Sequence, residues 1–215
     1  MHLPDGFLSP PVWGALDAVA AAVVGGCVLG LRGRLPEEAV PRMGMLGAFV
    51  FAAQMVNVPV AAGTSGHLLG GLLVASMLGP WAATLVLTAV FLIQALLFQD
   101  GGLLALGANI VNMGLCGTLG GYLLMRVLRR VLPAARRDVA VFVAAWSSVV
   151  LGAALASVEL AASGTAPLGP SLVAMTAIHA LIGLVEGAIT VAVVRFVERV
   201  QPQVLAGTLL ERGVA

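Results

Sequence analysis

Apolar stretches follow one another from Val12 to Val194, and the charges that interrupt them gather in a few short turns. A chain patterned this way puts its backbone N–H and C=O groups where no water can bond them. It must satisfy them inside helices or around a closed barrel. The strand-length alternation of apolar and polar residues that marks a barrel is absent. Only 10% of the 215 residues are charged and the mean hydropathy is +1.06, whereas soluble domains carry about 25% charged residues. The fold class expected is an all-α integral membrane protein, with the 27 glycines serving close helix packing in lipid.

About seven transmembrane helices are expected, over 12–31, 43–59, 66–79, 81–98, 104–126, 139–162 and 171–198. The third is short, and charge placement argues that it spans all the same. All 11 cationic residues are arginines, found in Arg32–Arg42, in Arg126–Arg137 and from Arg195 to the end. Positive charge marks the cytoplasmic side. If 66–79 turned back on itself, the Arg126–Arg137 group would lie outside. Spanning by both 66–79 and 81–98, with a break at Gly79-Pro80, keeps every group inside. The N-terminus is then outside and the C-terminus cytoplasmic. Residues 1–215 read as a single domain without linker or internal repeat. Met1 to Pro11 has neither the basic start nor the apolar run of a cleavable signal. A net charge of +1 gives no reason to expect nucleic acid, and Cys27 and Cys116, inside apolar segments, read as small packing residues.

Three histidines are present. His2 follows a free α-amine, so the Met1 amine, the deprotonated His2 amide nitrogen and His2 Nδ1 can close two fused rings around one ion. Pro4 and Gly6 can turn this start back into the bundle. The fourth corner of a square plane can come from His67, which Gly63-Thr64-Ser65-Gly66 is expected to deliver into the first turn of a helix. Four planar nitrogens suit Ni(II), Cu(II) or low-spin Co(II) rather than Zn(II), Mg(II) or Ca(II). The topology puts both ligand segments on the outer face, although it was argued from arginines alone. The metal ligands are therefore expected to be Met1, His2 and His67, with Ser65, Asp100, Asn109 and Asn112 around them. Asn109 and Asn112 stand three apart on one helical face and can accept the free N–H of a metal-bound imidazole, or can join helices. His179 and Glu186 share a stripe of the last helix about 10 Å apart, too far for one ion, and suit an internal polar network. Asp17 is expected to pair with one of these polar groups.

These motifs resemble the substrate-binding (S) components of energy-coupling-factor (ECF) transporters for nickel and cobalt, the NikM/CbiM type. The resemblance covers nearly the whole chain. It rests on Met-His-Leu-Pro-Asp-Gly-Phe-Leu-Ser-Pro at 1–10, Gly-Thr-Ser-Gly-His at 63–67, Leu-Gly-Pro-Trp-Ala-Ala at 78–83, Gln-Ala-Leu-Leu-Phe-Gln-Asp-Gly-Gly-Leu at 94–103 and Gly-Ala-Asn-Ile-Val-Asn-Met at 107–113. It implies the same four nitrogens from Met1, His2 and His67, and an S-component bundle with one extra N-terminal helix. It also implies Ni(II) or Co(II) as transported substrate. The partners implied are a transmembrane coupling (T) subunit, two ABC-type ATPase subunits and often a small accessory membrane subunit. The implied location is the prokaryotic cell membrane. The chain has no Walker-type loop of its own. Its Gly-His-Leu-Leu and Pro-Asp-Gly, where cobalt-type relatives often carry Ser-His-Pro-Thr and Met-Glu-Gly, favour nickel.

Two other readings compete. Gly63-Thr64-Ser65-Gly66 with His179 as base matches an intramembrane serine protease of rhomboid type, but it leaves His2, the Asp-Gly-Gly turn and the asparagines unused. A secondary metal transporter working alone needs acidic or histidine residues along a mid-membrane path, and the middle spans carry almost none.

Overall fold

The computed structural model describes residues 1–59 and 65–202, with the side chains of 58, 59 and 65 outside the description. The fold is all-helical, and five helices among the described residues are long and apolar enough to cross a membrane. Helix α1 (Pro10–Leu31) starts on a proline at its first position, where the missing N–H costs nothing. Helix α2 (Ala39–Gln54) follows a short polar turn. Helices α3 (Gly71–Leu78) and α4 (Pro80–Phe98) are separated by Gly79, which has φ +84°. The next span, Leu106–Val131, is continuous but not uniform. It opens as α5 (Leu106–Asn109), widens into a π-helical stretch over Ile110–Gly121 and tightens again as α6 (Tyr122–Val131). Helices α7 (Arg137–Ala162) and α8 (Leu168–Val200) form an antiparallel pair packed along their length.

Several expectations about elements need correction. Residues 66–79 do not form one helix. Ser65–Gly66 pairs with Val58–Pro59 in a two-residue antiparallel bridge, the chain runs on without helix or strand through Leu69, and α3 starts only after Gly70, at φ +74°. Its 8 residues cover about 12 Å, well short of a bilayer core of about 30 Å. Every residue of α3 is buried by its neighbours. His67 accordingly lies in irregular chain, not in a helical turn. The second helix ends at Gln54 rather than continuing to 59, because β-branched Val56 and Val58 and then Pro59 favour extended backbone.

Side chains take over where the helix stops. Glu186 of α8 accepts the N–H groups of Leu69 (2.5 Å) and Gly70 (2.9 Å), and Gln54 of α2 donates to the Leu69 carbonyl at 2.8 Å. The backbone of Leu69 and Gly70, just beyond His67, is thus bonded without being helical, as its burial requires. The close approach of α3 to the π-helical stretch depends on two glycines. A Cβ on Gly71 would come within 2.8 Å of the Gly117 Cα, and the converse holds equally. Of two glycines four apart on α1, Gly30 receives the Trp81 ring, whereas Gly26 meets nothing within 4 Å.

Candidate metal centre

The start of the chain is folded into the protein, and the bonds that hold it there are specific. Gly6, at φ +85°, turns the segment. The Leu3 N–H donates to Asn109 Oδ1 at 2.8 Å, while Asn109 Nδ2 donates back to the Leu3 carbonyl at 3.0 Å. Gly102 N–H also donates to that carbonyl at 2.9 Å. The Asp5 carboxylate accepts from the N–H groups of Leu103, Leu104 and Ala105, which precede α5 and would otherwise be orphan donors at its start. Thr165 donates to the Phe7 carbonyl, joining the segment to the α7–α8 turn. Met1 is 1% exposed and its side chain packs against Gly152 of α7.

These restraints bring His2 against His67. The rings stack with centroids 4.6 Å apart, and His2 Nδ1 lies 3.1 Å from His67 Nε2. Phe91 closes one side, edge-on to His2. His67 Nδ1–H donates to the Leu68 carbonyl at 2.8 Å, so in the neutral ring Nε2 presents a lone pair. On the other side, His2 Nε2 lies 3.0 Å from Gln94 Oε1, which can only accept. His2 therefore carries a proton on Nε2, and in the neutral ring it presents Nδ1 as a second lone pair. Asp100 Oδ1 stands 3.2 Å from His2 Nδ1. Three electron-pair donors thus converge, an arrangement that favours a cation among them.

The electrostatics favour an uncharged donor set beside one anion. Burial lowers the Met1 amine from its ordinary 8.0 to about 5, with Asp100 acting in the opposite direction. Burial, then the Met1 amine and His2, push His67 well below the usual imidazole range. In its doubly protonated form His2 donates Nδ1–H to Asp100, and that bond, against the cost of burial, keeps Asp100 below the ordinary carboxylate range. At neutral pH the amine and His67 are neutral and Asp100 is ionised. Among the described residues no group of three or more His, Cys, Asp or Glu side chains is arranged to hold a metal. An ion bound between His2 and His67 would need donors beyond these side chains, and main-chain nitrogen is one source. The Leu3 N–H is committed to Asn109, which leaves the terminal amine and the His2 amide as the main-chain nitrogens beside the His2 ring in sequence. These residues fit the four-nitrogen set.

The other expected residues fall as follows. Asn109 is beside the centre, but it clamps the Leu3 backbone rather than receiving an imidazole N–H. Asn112 points elsewhere, donating to Glu159 at 2.6 Å; the wider turn that begins at Ile110 gives the two asparagines different partners. The Ser65 side chain lies outside the described residues, and so do Gly63 and Thr64. Asp17 pairs with the backbone, accepting Gly107 N–H at 2.7 Å at the start of α5, not with a polar side chain. His179 Nδ1 donates to the Met175 carbonyl of its own helix, so the protease reading gains no support. Sequence reasoning missed Gln54 and Gln94, both wholly buried, with Gln94 Nε2 donating to Gln54 Oε1 at 2.9 Å. Their signal was an amide inside an apolar run, where it must find a partner. A wide apolar groove of about 720 Å³ between α2 and α4 contains none of these groups.

Asn109→Leu should free the Leu3 backbone and weaken metal binding by roughly 10–100-fold, the usual cost of losing a supporting partner. Isothermal titration against a detergent-solubilised variant of unchanged helix content measures it.

Comparison with known proteins agrees with the geometry. Residues 2–204 match the family model CbiM, described as the cobalt uptake substrate-specific transmembrane region. A putative metal transport protein of Haloquadratum walsbyi is 38% identical over 95% of this chain and 93% of its own length. A putative fused nickel transport protein NikMN of Archaeoglobus fulgidus is 39% identical over 95% of this chain and 68% of its own length. The cobalt transport protein CbiM of Sorangium cellulosum is 34% identical, covering 95% and 94%. A crystal structure of a transition metal transporter superposes with a TM-score of 0.86 at 32% identity, covering 93% of both chains. The chain belongs to the CbiM family and is a multi-pass membrane protein.

Proposed function

We propose that this member of the CbiM family captures a divalent transition metal, Ni(II) in preference to Co(II), for uptake across the membrane. It does so as the substrate-specificity subunit of an ECF-type transporter. The ion is held in a plane by the Met1 amine, the His2 amide nitrogen, His2 Nδ1 and His67 Nε2. The observation that carries this reading is the pair of imidazole nitrogens, His2 Nδ1 and His67 Nε2, facing each other at 3.1 Å beside a buried chain start. Loss of the His2 amide proton leaves the complex at +1, and the Asp100 carboxylate 3.2 Å from His2 Nδ1 offsets that charge. A desolvated pocket can hold such a neutral assembly at low electrostatic cost. Cu(II) binds such nitrogens at least as tightly, so selectivity in the cell rests on geometry and availability.

The centre sits where the chain start, the Asp100 turn and the start of α5 meet, and Arg126, Arg129 and Arg130 close the other end of the Leu106–Val131 span. That asymmetry supports an N-terminus outside and a C-terminus inside, with α3 a buried partial helix. A coupling subunit and two ABC-type ATPases, with a small accessory membrane subunit, would drive release to the cytoplasm.

Proton release tests this coordination. The lowered amine is already neutral at pH 7, so loading should release about one proton per metal, from the His2 amide. An amine at its ordinary value would release nearly one more. Because the amine binds a proton only below about pH 5, affinity should rise with pH throughout and most steeply below that point. Calorimetry in buffers of different ionisation enthalpy gives the count. One metal per chain with about one proton supports the reading, and metal uptake without proton release contradicts it.

A further inference from the structure

The two glutamines missing from the sequence argument form a chain with a fixed direction. At its far end is the Leu69 carbonyl, which can only accept. It faces Gln54 Nε2 at 2.8 Å, so Gln54 must turn its oxygen toward α4. There it accepts from Gln94 Nε2 at 2.9 Å, which obliges Gln94 to turn its own oxygen toward His2. Gln94 Oε1 lies 3.0 Å from His2 Nε2, which must therefore be the nitrogen bearing hydrogen. Each step leaves one choice, and in the neutral ring the last leaves His2 Nδ1 unprotonated on the side of His67. Both amides are fully buried.

We propose that Gln54 and Gln94 are positioning residues that set the tautomer of His2, and that a main-chain carbonyl beside the His67 segment dictates it. The inference rests on the metal-binding reading for its purpose, but the tautomer is a property of the metal-free protein. The relay has an opponent. Asp100 lies 3.2 Å from His2 Nδ1 and would hold a proton there if nothing opposed it. Without the relay, Nδ1–H pairs with Asp100 and the metal must displace that proton. Gln54 is the informative member, since it touches neither imidazole in any bond described. Without its oxygen, Gln94 is free to turn its amide and offer N–H to His2 Nε2. The same chain ties the two ligand segments together: Leu69, two residues beyond His67, is held at its carbonyl by Gln54 and at its N–H by Glu186.

Nitrogen-15 spectra of histidine-labelled, metal-free protein in micelles give the direct test, with only three histidines to assign. Wild-type His2 should show a pyridine-like Nδ1 and a pyrrole-like Nε2. Gln54→Leu should move the proton to Nδ1 and weaken Ni(II) binding by roughly 10–100-fold. Gln54→Glu should restore both, because a neutral carboxyl donates to Leu69 and accepts from Gln94 as the amide does. A role in packing alone would favour the leucine over the glutamate. A protonated Nδ1 in wild-type protein, or an unmoved proton in Gln54→Leu, overturns the proposal, and the wild-type spectrum decides even if the leucine variant does not fold. Failure of wild-type protein to bind Ni(II) while its His2 spectrum is as expected would sink the metal reading and leave the relay standing.

Discussion

Extending the chain by four residues, Gly-Ser-Gly-Ser, ahead of Met1 should remove metal binding while leaving the helices intact. The extension replaces the amine by a peptide nitrogen and places His2 sixth, so the fused rings cannot close. It also pushes chain into a site where Met1 is 1% exposed, so the start must leave its place. Structural sites with four ligands are worth about 10–16 kcal/mol, roughly 3 kcal/mol per donor. Losing the amine, the His2 amide and the docked His2 ring together should lower affinity by upward of four orders of magnitude. One glycine would be the wrong extension, because Gly-Met-His makes the histidine third and can itself bind through four nitrogens. Acetylation of the amine is the milder counterpart, adding few atoms while removing the lone pair. Helix content by circular dichroism should be unchanged in both cases, since no helix from α1 to α8 depends on the amine. Full affinity in either protein, by titration calorimetry, would mean that the ion binds elsewhere.

His67→Ala should have the second-largest effect, and a different character. It leaves the Met1 and His2 nitrogens docked by Asn109 and replaces the fourth donor by water. Loss of one donor at about 3 kcal/mol lowers affinity by roughly two orders of magnitude without abolishing binding. Because His67 Nδ1 bonds only the neighbouring Leu68 carbonyl, while Glu186 and Gln54 hold Leu69, the segment should keep its path. Added imidazole should recover part of the loss in a metal titration. A variant with undiminished affinity would remove His67 from the set, and complete loss would mean that the segment itself had collapsed.

Sequence alone made readable the class of the molecule and the two histidine segments that the fold brings together, since hydropathy is local and His2 and His67 stand out in an apolar chain. What it concealed depended on partners. Whether 66–79 is helical is decided by Glu186, more than a hundred residues away, whose carboxylate satisfies Leu69 and Gly70 in place of a helical turn. Asn109 and Asn112 look like one face at helical spacing, and the π-helical widening from Ile110 separates them onto Leu3 and Glu159. Gln54 and Gln94 were silent because an amide in an apolar run has no visible direction until α2 and α4 are laid side by side. Asp17 seemed to need a side chain and found the N–H of Gly107 instead.

X-ray absorption at the nickel edge of the loaded, full-length protein tests most directly whether the start of the polypeptide is itself a ligand. Four equivalent short nickel–nitrogen distances, with the strong pre-edge feature of a square-planar ion, are expected, and both should vanish on acetylation of Met1. A six-coordinate shell of oxygen and nitrogen, indifferent to acetylation, would contradict it.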